Sequence, residues 1–308
     1  MPRDEANGRL QNLMRPLAAC AEGSLPPNVA LMQLLMAAES ERDADDALKH
    51  AILSEQREAA VRRIRQMRRL WNGSPGCFAA VSSIAALARQ SERCGEKARL
   101  EEISALFDRV HAISPDAGVA LYSLGEASLL KEATREIVSL IEAWNLCGRQ
   151  SRVLDLGCGT GRMLEALAPR VGEITGTDIS QAMVETAARR ISWFPNASVV
   201  RTSGRDITEL KACFDLVLAI DSFPYLVQAD VAEAHIAGCA ALLRERGYVL
   251  IMNYSYRGDV AKDSDDLARL AMQYGFSVLR SGSRDLKLWD GTTFLLQKKT
   301  NRATRPDL

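Results

Sequence analysis

Histidine is scarce in this chain of 308 residues, with three in all. The seven cysteines stand at 20, 77, 94, 147, 158, 213 and 239, and no two form a Cys-x-x-Cys pair. That scatter excludes a recognisable zinc site or disulfide framework, so no metal is expected. Net charge is missing too, because 39 Lys and Arg balance 39 Asp and Glu. No overall field draws in nucleic acid or an anionic membrane, and neither is expected as a partner. No apolar run approaches the length of a bilayer span. The first residues, with Arg3, Asp4 and Glu5, lack a signal-peptide core, which makes the cytoplasm the expected location. Internal repeats and low-complexity tracts are absent as well.

What is present is the composition of a globular protein, 47% hydrophobic and 25% charged. Its first third shows no convincing strand. Leu31, Leu34, Leu35 and Ala38 recur at helical spacing, as do Val61, Ile64, Met67 or Arg68, and Leu70 with Trp71. Pro26-Pro27 and the stretch 72–76 punctuate these helices, and two more are expected near Phe78–Gln90 and Lys97–Ile113. Ser114-Pro115-Asp116 stops the last of them. Arg62, Arg63, Arg65, Arg68 and Arg69 wrap a helix whose apolar stripe is Val61, Ile64 and Leu70, which reads better as a solvated face than as an anion site. A helical domain over 1–115, a second domain over 116–300 and a tail over 301–308 are expected.

The second domain alternates strands and helices. Val153–Leu156 is an apolar strand that runs into Gly157-Cys158-Gly159-Thr160-Gly161, and Glu173–Thr177 is a short strand ending in Asp178. Glycines without Cβ atoms let the chain turn tightly and let a bulky ligand lie against it, with the amides of the next helix facing that ligand. A dinucleotide fingerprint needs a third small residue where this chain has Arg162. Phe214–Ile220 fits a buried parallel strand, Val231–Leu243 a helix ending at Gly247, and Tyr248–Asn253 another strand. The order implies a doubly wound α/β sheet.

The Gly-x-Gly-x-Gly turn after an apolar strand, followed by Asp178 at the end of the next, resembles the cofactor loop of class I S-adenosylmethionine (SAM) methyltransferases. The likeness covers about 127–299 and leaves out the first third of the chain. It implies a Rossmann-like, seven-stranded sheet whose last strand is antiparallel, with Ala127–Leu146 as the helix before the first strand. Asp263–Tyr274, capped by Gly275, precedes terminal strands Phe276–Leu279 and Thr292–Gln297, joined by a long connection with Asp290-Gly291 near its end.

The resemblance also implies SAM as cofactor and S-adenosylhomocysteine as product. It puts Asp155 in support of the loop, Gly157, Cys158, Gly159 and Gly161 under the methionine part, and Asp178 on the ribose. Ile179 and Met183 flank the adenine, while Asp206 with Ile207 stands where members place an acid for the adenine amino group. Helix capping is the plainer role for Asp178 and Asp206, with Ser180 a further cap candidate. For Cys158 the plainer role is a small packing side chain.

Methyl transfer from a sulfonium relies mostly on positioning, plus a base if the acceptor must lose a proton. Asp221-Ser222-Phe223-Pro224-Tyr225 lies where members approach the transferring methyl, and it departs from the Asn/Asp-Pro-Pro-aromatic pattern of DNA and protein amine methyltransferases. A small-molecule acceptor is expected for that reason. Asp221, Tyr225 and Tyr254 are the candidate catalytic residues, with Asn253, Tyr256 and Arg257 nearby, since strand alternation puts Tyr254 and Tyr256 on one face. His111 is a base candidate only if the helical domain folds over the pocket, and Tyr122 a candidate to close over the cofactor. The helical domain is expected to act as a lid or to form a homodimer. The rival functions are a protein or peptide methyltransferase and a catalytically silent SAM-binding interaction protein.

Overall fold

The computed structural model describes residues 2–92 and 99–300. The expected tail 301–308, Cys94 and the first residues of the helix expected from Lys97 lie outside them. The chain divides into two compact units, and the division is not a single cut. One unit takes Met1–Cys94, Arg109–Glu136 and Leu286–Asp290; the other takes Gly95–Asp108, Ile137–Asp285 and Gly291–Leu308.

The first unit is helical: α1 (Pro2–Glu22), α2 (Pro27–Ala37), α3 (Glu41–Ser54), α4 (Glu58–Gly73), α5 (Cys77–Glu92), the C-terminal end of α6 (Leu100–Ile113) from Arg109 on, and α7 (Pro115–Val119). Pro27 opens α2 at a position where its missing amide costs nothing, and Ser40 caps α3 by accepting from the Asp43 amide at 3.1 Å. Leu17, Leu31, Leu34, Leu35, Leu48, Ile64 and Met67 fill its core. On α4 the buried stripe is Ala60, Ile64 and Met67. Four of the five arginines are exposed, and Arg68 pairs with Asp45.

The same unit holds residues 286–290 of the β6–β7 connection. Asn28, buried, donates through Nδ2 to the carbonyls of Tyr122 (3.0 Å) and Leu288 (2.8 Å), and the Glu136 carboxylate accepts the amides of Lys287 and Leu288 at 2.6 and 3.0 Å. Tyr122 stacks on Trp289 at 5.2 Å, so its ring is a packing element.

The second unit is a seven-stranded sheet. In chain order its elements are α8 (Ala127–Ala143, whose first turns belong to the helical unit), β1 (Arg152–Leu156), α9 (Arg162–Leu167), β2 (Glu173–Asp178), α10 (Gln181–Arg190), β3 (Ala197–Arg201) and β4 (Phe214–Ile220). Then come α11 (Phe223–Gln228), α12 (Ala232–Leu242), β5 (Leu243–Met252), α13 (Val260–Gln273), β6 (Phe276–Ser283) and β7 (Thr293–Lys298). Strand order is β3-β2-β1-β4-β5-β7-β6, parallel except for β7, which runs antiparallel between β5 and β6. The order reverses between β1 and β4, and in such sheets ligands bind beyond the strand C-termini at that reversal.

Two expectations about this unit change. Gly247 does not end a helix: α12 stops at Leu242, and β5 begins at once, pairing Leu243 with Phe214 and then Tyr248 with Leu216. The residues between bulge out through Arg246 at φ 64°, so Gly247 lies inside a bulged strand. The strand also ends at Met252, one residue early, because Asn253 turns into the left-handed region at φ 63°. No helix among the described residues is long and apolar enough to cross a membrane.

Candidate functional site

β1 carries Asp155, opposite Gly176 of β2, into the interior and delivers the chain to Gly157. Gly157, Gly159 and Gly161 all take positive φ, at 71°, 54° and 79°. A Cβ on Gly157 would overlap that of Ser222, and one on Gly161 would stand 3.0 Å from the Ala187 Cβ on α10. The turn is therefore glycine-dependent through its own packing, before any ligand is considered. Cys158 has its amide on the Thr177 carbonyl at 2.8 Å and its thiol buried against Gly176. Burial pushes that thiol well above its usual range, which makes it an inert packing group.

Asp178 ties the two loops together. Its Oδ2 accepts the Gly159 amide and its Oδ1 the Ser180 amide, each at 2.9 Å. Burial raises its carboxyl against the opposing pull of those amides. Ser180, in turn, is the N-cap of α10, accepting from the Met183 amide at 3.2 Å.

The sequence offered no signal for Asp108. From α6 its Oδ1 accepts the Ser180 hydroxyl at 2.5 Å and the Ala182 amide at 3.2 Å, satisfying a second first-turn donor of α10. Ser104, one turn earlier, donates to the Ile179 carbonyl at 3.0 Å. A cavity of about 520 Å³ lies between this helix face, Ile179 and the segment Arg201–Ser203.

Met183 is buried on α10, and Ile207 is buried beside Gly238 of α12. The Asp206 carboxylate accepts the Thr208 amide at 2.9 Å and its hydroxyl at 2.6 Å, which hold it below the usual carboxylate range. That is a turn-capping geometry.

At the ends of β4 and β5 two non-glycine residues share the left-handed conformation, Asp221 at φ 61° and Asn253 at φ 63°. The Asp221 amide donates to the Met252 carbonyl at 2.9 Å. Its Oδ1 accepts from Asn253 Nδ2 at 2.8 Å and from Tyr256 Oη at 2.9 Å. Asn253 is fixed by exchanging hydrogen bonds with Thr292, backbone amide to carbonyl at 2.8 Å and Oδ1 to amide at 3.0 Å. Tyr225 of α11 meets Phe107 edge-on at 4.9 Å and Tyr256 at 5.7 Å.

Tyr254 does not share a face with Tyr256. Because the strand has already ended, alternation no longer applies, and Tyr254 turns into the core between Phe223 (5.1 Å) and Phe294 (6.0 Å). Burial pushes its phenol up to about 12. Arg257 is engaged as well, bonding Asp263 and Asp266 at 2.5 and 2.8 Å. His235 is a packed imidazole on α12, its Nδ1 at 2.9 Å from the Val231 carbonyl and its pKa lowered by burial.

Asp155 is the unusual group. Its Oδ2 is buried with no hydrogen-bond partner among the described residues. Burial raises its carboxyl to about 7 despite the nearby Arg162 charge, and Asp178 adds to the rise. An orphaned buried acceptor beside a glycine-lined turn, with a second carboxylate held on the loop amides, is a set of acceptors suited to a cationic, hydroxyl-bearing nucleoside. The site fits SAM: Asp178 would hold the ribose, the glycine turn the amino-acid part, and Ile179 and Met183 the adenine.

Over residues 153–247 the chain matches the family model described as a methyltransferase domain. It is 36% identical over 86 residues to a putative methyltransferase of Bacillus subtilis, covering 27% of this chain and 35% of that protein. It is 29% identical over 116 residues to a demethylmenaquinone methyltransferase of Clavibacter sepedonicus, covering 38% of this chain and 44% of the relative. The chain thus spans less than half the length of these curated relatives. Among solved structures, a phosphoethanolamine N-methyltransferase of Haemonchus contortus superposes with a TM-score of 0.51 at 16% identity, over 67% of this chain and 50% of that one, a likeness of fold.

Proposed function

We propose that this chain is an enzyme that transfers the methyl group of SAM to a small-molecule acceptor held over the C-terminal edge of the sheet, releasing S-adenosylhomocysteine. The bridge that Asp178 makes between Gly159 and Ser180 carries the reading. It preorganises the turn and leaves a half-buried carboxylate where the second strand ends, so positioning precedes binding. Asp155, Gly157, Cys158, Gly159, Gly161, Asp178, Ile179, Met183, Asp206 and Ile207 are the proposed cofactor site.

SAM supplies an activated methyl on a good leaving group; the chain's own part is to bind, align and exclude water. Asp221 and Tyr225 form the proposed acceptor side, Asp221 as hydrogen-bond acceptor or base. Relatives named for demethylmenaquinone and for O-methylation in ubiquinone biosynthesis favour a small molecule over a polypeptide. Two roles stand for the helical region, 1–115 in the sequence reading: a lid over the acceptor or a dimer interface. Light scattering separates them, a single-chain mass in solution removing the second.

Incubating the protein with methyl-labelled SAM and a cell extract tests the proposal. Label in a small molecule is the expected result. Label in a polypeptide points to a protein methyltransferase, and no label at all to a silent SAM-binding protein.

A further inference from the structure

The geometry points to Tyr256 as a catalytic residue that takes the proton of a flat, hydroxyl-bearing acceptor while passing its own to Asp221. This inference rests on the methyltransferase reading above and goes beyond it by naming the proton's path and the acceptor's chemistry.

Three observations support it. First, the Tyr256 hydroxyl already donates to Asp221 Oδ1 at 2.9 Å and shares a second side-chain hydrogen bond with Tyr225, and a phenol oxygen with two lone pairs has room to accept from one further donor. Tyr256 is half-exposed, so a small molecule can reach it. Second, the pair is held from both sides. Asn253 donates to the same Oδ1 at 2.8 Å and is itself locked to Thr292. The turn bearing Tyr256 is pinned by its neighbours, because Ser255 and Arg257 both bond the buried Asp263 carboxylate. Two left-handed non-glycine residues at this one point, Asp221 and Asn253, are backbone conformations kept at a cost. Third, Phe107, Tyr225 and Tyr256 form a row of edge-to-face rings, suited to a flat apolar body.

The step balances. An acceptor oxygen lone pair forms the new O–C bond as the S–C bond breaks, and that bond's electron pair goes to sulfur. The acceptor's proton moves to Tyr256 Oη as the tyrosine proton moves to Asp221 Oδ1, and Asp221 then releases it to water.

The test uses the full chain, Tyr256→Phe and Asp221→Asn, with catechol and 4-nitrocatechol as probe acceptors. Calorimetry first measures SAM binding. Tyr256→Phe is expected to bind within threefold of the wild type, whereas a wild type that ignores SAM overturns the methyltransferase reading itself. With catechol, whose hydroxyl is protonated at neutral pH, Tyr256→Phe is expected to lose at least tenfold in kcat with KM within threefold. With 4-nitrocatechol, which arrives ionised, the loss should fall below threefold. Equal losses on both probes make Tyr256 structural and overturn the proposal, as does no loss on either, and SAM-bound protein that methylates neither probe overturns the acceptor class. The pair is also read without turnover. Tyrosinate absorbance of each protein minus its Tyr256→Phe counterpart isolates Tyr256, whose titration midpoint should fall by about one pH unit or more in Asp221→Asn. An unmoved midpoint overturns the relay.

Discussion

Asp178 accepts the backbone amide of Gly159 at 2.9 Å, so the carboxylate that ends the second strand of the sheet holds the glycine turn that ends the first. With its other oxygen on the Ser180 amide, one side chain sets the spacing of both loops. The proposed cofactor site is built around that fastening, and its neighbours give the first expected outcomes.

Gly157→Ala places a methyl group over Ser222 at a backbone φ of 71°. Overpacking and the left-handed strain act together, and a loss of about 1–3 kcal/mol in denaturant unfolding is expected. Adding Ser222→Gly removes the overlapped Cβ and should recover part of that loss. A single variant as stable as the wild type would show that the turn relaxes freely.

Asp155 gives the unliganded protein a signature in pH. Its carboxyl rises from 3.8 to about 7 on folding, so between those values the native state binds more protons than the unfolded one. Stability then falls as pH rises through this window, and is undiminished below it. Compared with Asp155→Asn, which cannot titrate, the wild type should lose up to about 4 kcal/mol of relative stability from pH 4 to pH 7. Thermal or denaturant melts of both proteins across that range check the slope whatever their constant offset. A flat difference would mean that Asp155 is not buried as an acid.

Tyr254 and Tyr256 should separate cleanly under mutation. Tyr254 is core, so Tyr254→Ala is expected to cost about 3–5 kcal/mol of stability, whereas Tyr254→Phe should keep methyl transfer within threefold. A Tyr254→Phe enzyme that folds but is inactive would return this residue to the acceptor site.

These two tyrosines also show what sequence could and could not reveal. Ser180 was legible as a cap by residue type, and the helix Gln181–Arg190 does start right after it. The strand Phe214–Ile220 was equally plain as an unbroken apolar run. The seven-stranded sheet with an antiparallel last strand came from the likeness of the glycine turn and Asp178 to a known family, not from periodicity. Past Met252, however, alternation predicts nothing, since one left-handed residue, Asn253, sends Tyr254 inward and Tyr256 to Asp221. Asp108 was invisible for a different reason: it sits 72 residues before Ser180, on a helix whose period resembles every other helix of the first third. Residues 286–290 were read as a connection between strands, and it is tertiary contacts that make them part of the helical unit: Asn28 donates to Leu288, Glu136 accepts from Lys287 and Leu288, and Tyr122 stacks on Trp289.

Calorimetric titration of SAM into the wild type and into Asp178→Ala is the most direct measurement. Saturable binding by the wild type, weakened at least tenfold (about 1.4 kcal/mol) in a variant that keeps its fold by circular dichroism, is the predicted result. Equal affinity in the two proteins, or a wild type that does not bind SAM, would contradict the claim that Asp178 and the glycine turn together form the cofactor site.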